Sequence, residues 1–358
     1  MSRTFAAARS LQRMEALPII AVFALLLFLF MATAPAVFLK PNIYMTFMST
    51  LPPLILLSIG LTFVIGAGEI DLSFPSVIAF SGFVFAVLFK EHGLGWLAVV
   101  IALGSGVLVG YVNGVLVAHL GIPSFIATLG TQFFWSGMAT VLSGGKSYAL
   151  RGAEQSSVWR WLVGRFHFGG GQYDWYNQIP MQAGWTAIIV VFLWFILNRH
   201  RFGEHVLFLG DSNDVSRVVG IEVEKEKIKL FTLMGALAAL AAIFLTLENK
   251  NYFGNQGQGY LLLAIAAVLI GGTSIFGGRA TVIGSVFGCF IVMVIETGLV
   301  ASGLEGSWVR TVQGLVFLAA IIFYLTIDEP ERWRSFAGRL AGLHFFPPRK
   351  GGGEHPAR

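Results

Sequence analysis

The chain has 358 residues, 56% of them hydrophobic and only 12% charged, with a mean hydropathy of +0.74. Soluble domains carry roughly twice that share of charge, so a soluble globular protein is excluded. The net charge of +5 does not point to nucleic acid, because the basic residues flank apolar runs, and the single cysteine, Cys289, leaves no disulfide framework and no thiolate metal site.

A spanning helix needs about 20 mostly apolar residues. Stretches that meet this are 18–39, 45–66, 94–118, 123–142, 183–198, 229–247, 281–300 and 307–327. The first follows Arg3, Arg9 and Arg13 and is longer than the ~7–15-residue core of a signal peptide. It reads as a retained helix behind a tail, 1–17. Two shorter stretches, 75–89 and 260–271, each adjoin a Gly-rich polar turn and read as broken or re-entrant helices. Irregular backbone survives at membrane depth only where protein or water covers it. The expected fold is an all-α polytopic membrane protein with about ten transmembrane helices, in a membrane domain over 18–327 with a C-terminal tail over 328–358.

Lysine and arginine set the orientation. The N-terminal tail, the segment 199–229 (Arg199, Arg201, Arg217, Lys225, Lys227, Lys229) and the C-terminal tail (Arg332, Arg334, Arg339, Arg349, Lys350, Arg358) fall on one side with ten crossings. That side is the cytoplasm. The longest external loop, about 143–182, carries Trp159, Trp161, Phe166, Phe168, Tyr173, Trp175 and Tyr176 with Arg160 and Arg165 between them. Such a mixture suits an interfacial anchor or a platform for an external partner. A faint internal echo relates the turn and helix at 66–83 to those at 271–288, as in transporters with repeats.

No enzyme site stands out. Gly145-Lys146-Ser147 matches the end of a phosphate loop, but Thr140 stands where the loop needs glycine, so the phosphate cradle is missing. Polar residues inside apolar runs are the informative ones, since each is costly in hydrocarbon and faces the bundle interior. They are Glu69, Asp71 and Ser73, then Asn113, then Thr128, Thr131, Gln132 and Ser136, then Glu296 and Thr297, and Gln313. They serve as interhelical hydrogen-bond glue or as a pathway lining, and Glu69 or Asp71 could cap a helix N-terminus.

Several elements, in order, resemble the permease subunits of bacterial ABC importers for monosaccharides of the ribose, xylose, arabinose and galactoside type. Gly68-Glu-Ile-Asp-Leu-Ser73 is similar to that family's Gly-Gly-Ile-Asp-Leu-Ser. Asn113-Gly-Val-Leu-Val-Ala and Ile122-Pro-Ser-Phe-Ile-Ala-Thr-Leu-Gly130 resemble a second element. Arg201-Phe-Gly203, Gly210 and Arg217-Val-Val-Gly-Ile221 resemble its cytoplasmic loop. Ala264-Ile-Ala-Ala-Val, with Gly271, Gly272, Thr273, Ser274, Gly277 and Gly278, resembles a signature turn. The resemblance covers about 45–327. The chain departs from it at Glu69, a usual glycine, and at Leu261 and Leu263, usual acids.

The resemblance implies a translocation pathway for a monosaccharide at the interface with a second permease copy or paralogue, in the bacterial inner membrane. It implies a cytoplasmic ATP-binding subunit with two nucleotide domains and a periplasmic solute-binding protein. ATP is then the partner's ligand, with no cofactor in this chain. The coupling loop is expected within 203–221, where Asp211 or Ser212 caps a helix of about two turns and Gly220 follows its end. Val215, Val218 and Val219 share one face, beside Arg217. A branched-chain amino-acid permease and an ion-coupled secondary transporter are the rival readings.

Overall fold

A computed structural model describes residues 2–166, 179–303 and seven positions between 308 and 322. The expected span 307–327 lies largely outside the described residues, as do the C-terminal tail, Gln313, Phe168, Tyr173, Trp175 and Tyr176. Helices follow one another throughout. Helix α1 (Ser2–Thr33) stops at Ala34, because Pro35 disfavours helical geometry in the residue before it, and a single turn, α2 (Pro35–Phe38), follows. Then come α3 (Pro41–Gly66), α4 (Phe74–Lys90), α5 (Trp96–Ala118), α6 (Ser124–Ser143), α7 (Ser157–Leu162) and α8 (Met181–Arg199). The remainder are α9 (Arg201–Asp211), α10 (Asn213–Val218), α11 (Val223–Glu248), α12 (Tyr260–Ile270) and α13 (Val282–Ala301).

Among the described residues, 6 helices are long and apolar enough to cross a membrane: α3, α5, α6, α8, α11 and α13. The apolar part of α1, α4 and α12 are shorter. Helices α3 and α11 form the centre, with 83% and 72% of their apolar windows buried, whereas α6 and α8 have 17% and 22% buried and present most of their surface outward. A multi-pass membrane protein needs this arrangement, since the outer helices face lipid.

Helix α11 begins at Val223, six residues before the apolar stretch read from the sequence. Its first two turns are charged, and Lys225 and Lys229 extend from the helix end toward water. From Leu230 to Leu247 the helix carries no charge. Eighteen residues at 1.5 Å each span about 27 Å, close to the ~30 Å hydrocarbon core.

Helices α5 and α11 touch backbone to backbone. A Cβ on Gly106 would lie 2.4 Å from the Gly235 carbonyl oxygen, and one on Gly110 would lie 2.2 Å from that of Phe231. Gly106, Gly110 and Gly114 recur every fourth residue, the small-residue spacing that lets membrane helices close on each other.

The segment between α6 and α8 is folded where it is described. Strand β1 (Tyr148–Ala149) pairs antiparallel with β4 (Asn251–Tyr252), Tyr148 facing Tyr252, and β2 (Arg165–Phe166) pairs with β3 (Ile179–Pro180). Arg165 grips the Glu248 carboxylate with both terminal nitrogens, at 2.6 and 3.3 Å. Lys250 sits 5.8 Å from the Trp159 ring centre. Trp159 packs against the core and Trp161 is exposed.

Candidate functional site

Two of the apolar stretches are interrupted, and their turns hold most of the polar residues singled out above. The chain leaves α3 at Gly66 and runs without helix until Phe74. The amides of Ala67, Gly68 and Glu69 still reach carbonyls at the end of α3, but those of Ile70 and Leu72 lie beyond that reach, and lipid offers no acceptors. Side chains of α6 supply them. Ile70 N–H donates to Ser124 Oγ at 3.0 Å, Leu72 N–H to Thr128 Oγ1 at 3.1 Å, and Ser76 N–H to Gln132 Oε1 at 3.0 Å. Ser124, Thr128 and Gln132 recur every fourth residue and so form one stripe along α6.

Asp71 lies under this ladder, 2% exposed. Its Oδ1 accepts from the Ser73 backbone N–H at 2.7 Å and from Ser73 Oγ at 2.6 Å. Asn113 Nδ2 donates to Ser73 Oγ at 2.7 Å. Asp71, Ser73, Asn113, Thr128 and Gln132 are therefore one assembly. Asp71 thus orients the backbone just before α4, whose first residue follows Ser73 without a side-chain cap. Glu69 does not cap; it pairs with Lys227 of α11 at 2.5 Å, both side chains about one-tenth exposed. This pair beside Ser124 and Arg217 borders a cleft of 190 Å³.

The second interruption lies between α11 and α12. Gly257 fits against the Pro75 backbone, where a Cβ would meet the carbonyl oxygen at 2.2 Å. Gln256 Nε2 donates to the Ile78 carbonyl at 3.3 Å. The N-terminal ends of α4 and α12 thus meet. Ser76 pairs with a residue about 12 Å along α6 from its start, so the meeting point lies near the middle of that apolar helix.

Glu296 stands apart from the ladder. With Thr46, Thr50, Tyr260 and Thr297 it lines an open cavity of 730 Å³ whose remaining wall is mostly apolar, including Leu263. The turn after α12 places Gly271, Gly272, Thr273, Ser274, Gly277 and Gly278 before α13, with Thr273 and Ser274 buried.

On the side reached by the ends of α3 and α8, two helices replace the expected single short one. Helix α9 buries Gly203, Val206 and Leu209, and Phe202 stacks on Phe63. Ser212 then caps α10, its Oγ accepting from Val215 N–H at 3.3 Å, and Gly220 has φ +87°. On α10 and just after it Val215, Val218 and Val219 are 54%, 87% and 58% exposed. Arg217 binds Glu224 at 2.7 Å; the guanidinium holds the Glu224 carboxyl below the usual carboxylate range.

Residues 43–321 match the model of the permease component of branched-chain amino acid transport systems. The chain belongs to this permease family. It is 32% identical to the ribose import permease protein RbsC of Escherichia coli (strain K12) over 75% of this chain and 80% of that one. It is 31% identical to the fructose import permease protein FrcC of Rhizobium meliloti, over 73% and 71%. It is 33% identical to the autoinducer 2 import system permease protein LsrC of Escherichia coli O9:H4 (strain HS), over 75% of each. No solved structure matches. Within the permease, Lys227, Ser124 and Tyr260 were not among the residues singled out from the sequence. Ser124 was legible as the start of the four-residue stripe, whereas Lys227 was hidden among loop charges.

Proposed function

We propose that this permease forms the translocation pathway of an ATP-driven importer in the bacterial inner membrane, carrying a monosaccharide handed over by a periplasmic solute-binding protein. It crosses the membrane about ten times, with both termini in the cytoplasm. A second permease, a copy or a paralogue, completes the pathway. A separate subunit with two nucleotide domains binds and hydrolyses ATP, and this chain needs no cofactor. The relatives are named for ribose, fructose and autoinducer 2, which favours a sugar-like solute over a branched-chain amino acid.

The observation that carries the reading is α10. A six-residue helix is unstable alone in water, yet this one is capped at its start and turns three valines outward. An apolar face of that kind on the cytoplasmic side fits a cleft on an ATPase, with Arg217 on its charged rim. The cavity around Thr46, Thr50, Tyr260, Glu296 and Thr297 suits a sugar, having a few polar groups on an apolar wall. Asp71, Ser73, Asn113, Thr128 and Gln132 fix the interrupted segment before α4, with Glu69 paired to Lys227 at its start. Val215→Cys should crosslink to the ATPase subunit, which is a clean test because Cys289 is buried. Val218→Glu should leave ATP hydrolysis running and abolish uptake. Normal uptake by Val218→Glu, with no crosslink from Val215→Cys, refutes the reading.

A further inference from the structure

Four glycines from three separate stretches meet at the cytoplasmic end of the bundle. The last residue of α3, Gly66, has a carbonyl with no partner within its own helix, as at every helix C-terminus. Gly278 N–H donates to it at 3.0 Å. Gly210, in the last turn of α9, sits in the angle between them. A Cβ on Gly210 would lie 2.1 Å from the Gly66 carbonyl oxygen and 2.2 Å from Gly278 N. A Cβ on Gly277 would lie 2.7 Å from Gly210 Cα, and one on Gly278 would lie 2.1 Å from Asp211 Oδ1. Gly277 and Gly278 have φ of +86° and +76°, a region that L side chains rarely adopt. The contacts of Gly210 and Gly277 are backbone on backbone, so no flexible side chain absorbs a displacement there.

Each stretch leads somewhere different. Gly66 opens the interrupted segment that enters α4. Gly277 and Gly278 lie in the turn that joins α12, the second interrupted helix, to α13. Gly210 precedes α10 by two residues, Asp211 and the cap Ser212. At its other end α9 is fixed by Gly203, whose Cβ would lie 2.2 Å from the Leu197 carbonyl oxygen at the end of α8. Helix α9 is therefore a rod about 16 Å long, fixed to α8 at one end, with its free end seated between both interrupted segments and attached to the exposed valine face.

We propose that Gly66, Gly210, Gly277 and Gly278 are positioning residues for transport: they form a joint that passes a displacement of α10 to both interrupted segments at once. This deepens the importer reading and rests on it. The side chains of the route move because the backbone that carries α4 and α12 moves with the end of α9.

The test uses the permease assembled with its ATPase subunit in lipid nanodiscs. Hydrogen exchange is followed with and without magnesium ATP and orthovanadate. In the unaltered complex, peptides covering 206–218, 67–73 and 271–280 should change protection together. Gly210→Ala should still copurify with the ATPase and hydrolyse ATP, and should keep the change at 206–218. Its changes at 67–73 and 271–280 should shrink at least threefold. Gly104→Ala, at a glycine with open space around it, should behave as the unaltered chain. The proposal falls if nucleotide alters 206–218 in the unaltered complex without altering the other two peptides, an outcome that needs no variant to fold. It also falls if Gly210→Ala leaves all three changes intact. Either result leaves the importer reading standing. If the ATPase does not copurify with the unaltered permease, both the reading and the proposal fall.

Discussion

The backbone leading into α4 is held by side chains of another helix, whereas the backbone leading into α12 is held largely by itself. In the first segment, Ser124 and Thr128 take the N–H groups of Ile70 and Leu72, Gln132 takes that of Ser76, and Asp71 takes that of Ser73. In the second, tight turns close on themselves, with Gln256 N–H donating to Phe253, Gln258 to Asn255 and Tyr260 to Gly257, each at 3.1 Å. The mouths differ too. Glu69–Lys227 is nearly buried, while Arg165–Glu248 is 31% and 23% exposed. Backbone inside a bilayer must be satisfied internally, and this permease does so once with polar side chains and once with glycine turns. The first arrangement depends on individual chemical groups; the second depends on shape.

Removing those groups one at a time measures the difference. The largest effect is expected from Lys227→Met, which strands the Glu69 carboxylate. Breaking a buried pair on one side costs about 3 kcal/mol, at the low end of the range because these side chains keep a little exposure. The thermal unfolding midpoint in detergent micelles reads it, and adding Glu69→Gln should restore most of the loss. If the single variant is as stable as the parent, the Glu69–Lys227 mouth is no more dependent on charge than the Arg165–Glu248 one.

Next comes Thr128→Val, which keeps the shape but leaves the Leu72 N–H without its acceptor. A buried unsatisfied donor costs about 1–3 kcal/mol, and the same unfolding measurement applies. The smallest effect belongs to Gln256→Met in the second segment. Its side chain donates to the Ile78 carbonyl, which as a residue of α4 also has a helical donor. It also donates to Thr246 Oγ1 at 3.2 Å, a hydroxyl that can turn instead to a carbonyl of its own helix. The loss should stay near 0.5–1 kcal/mol. A Gln256→Met variant less stable than Thr128→Val would reverse the comparison.

The first segment was legible in the sequence and the second only in outline. Glu69, Asp71, Ser73, Asn113, Thr128 and Gln132 stand out because a polar residue inside an apolar run needs a reason. That five of them form one assembly was not legible, because the contacts join positions some 40–56 residues apart. Around α12 the run Gly259-Tyr-Leu-Leu-Leu263 offers glycine and apolar residues alone, so the turn was visible but not its partner, Pro75. Helix α10 could be read from Ser212 and Gly220, since caps are local signals. Helix α9 could not. Its charged start resembled a loop, and its buried face of Gly203, Val206 and Leu209 takes meaning only from the ends of α3 and α8.

The ladder on α6 also bears on how the chain is made. Leu72 leaves the ribosome 56 residues before Thr128, its acceptor. At the usual 5–20 residues per second, with N-terminal parts folding first, that interval is about 3–11 s. During it the amides of Ile70 and Leu72 have no partner that the chain itself can supply, and hydrocarbon cannot hold them. The segment 67–73 must therefore wait in water or within the insertion machinery, and α4 cannot settle at its final depth until α6 arrives. The second interrupted segment has no such delay. Pro75, Ile78 and Thr246 are already synthesised when Gln256 and Gly257 emerge, so α12 can close onto the bundle as it is released.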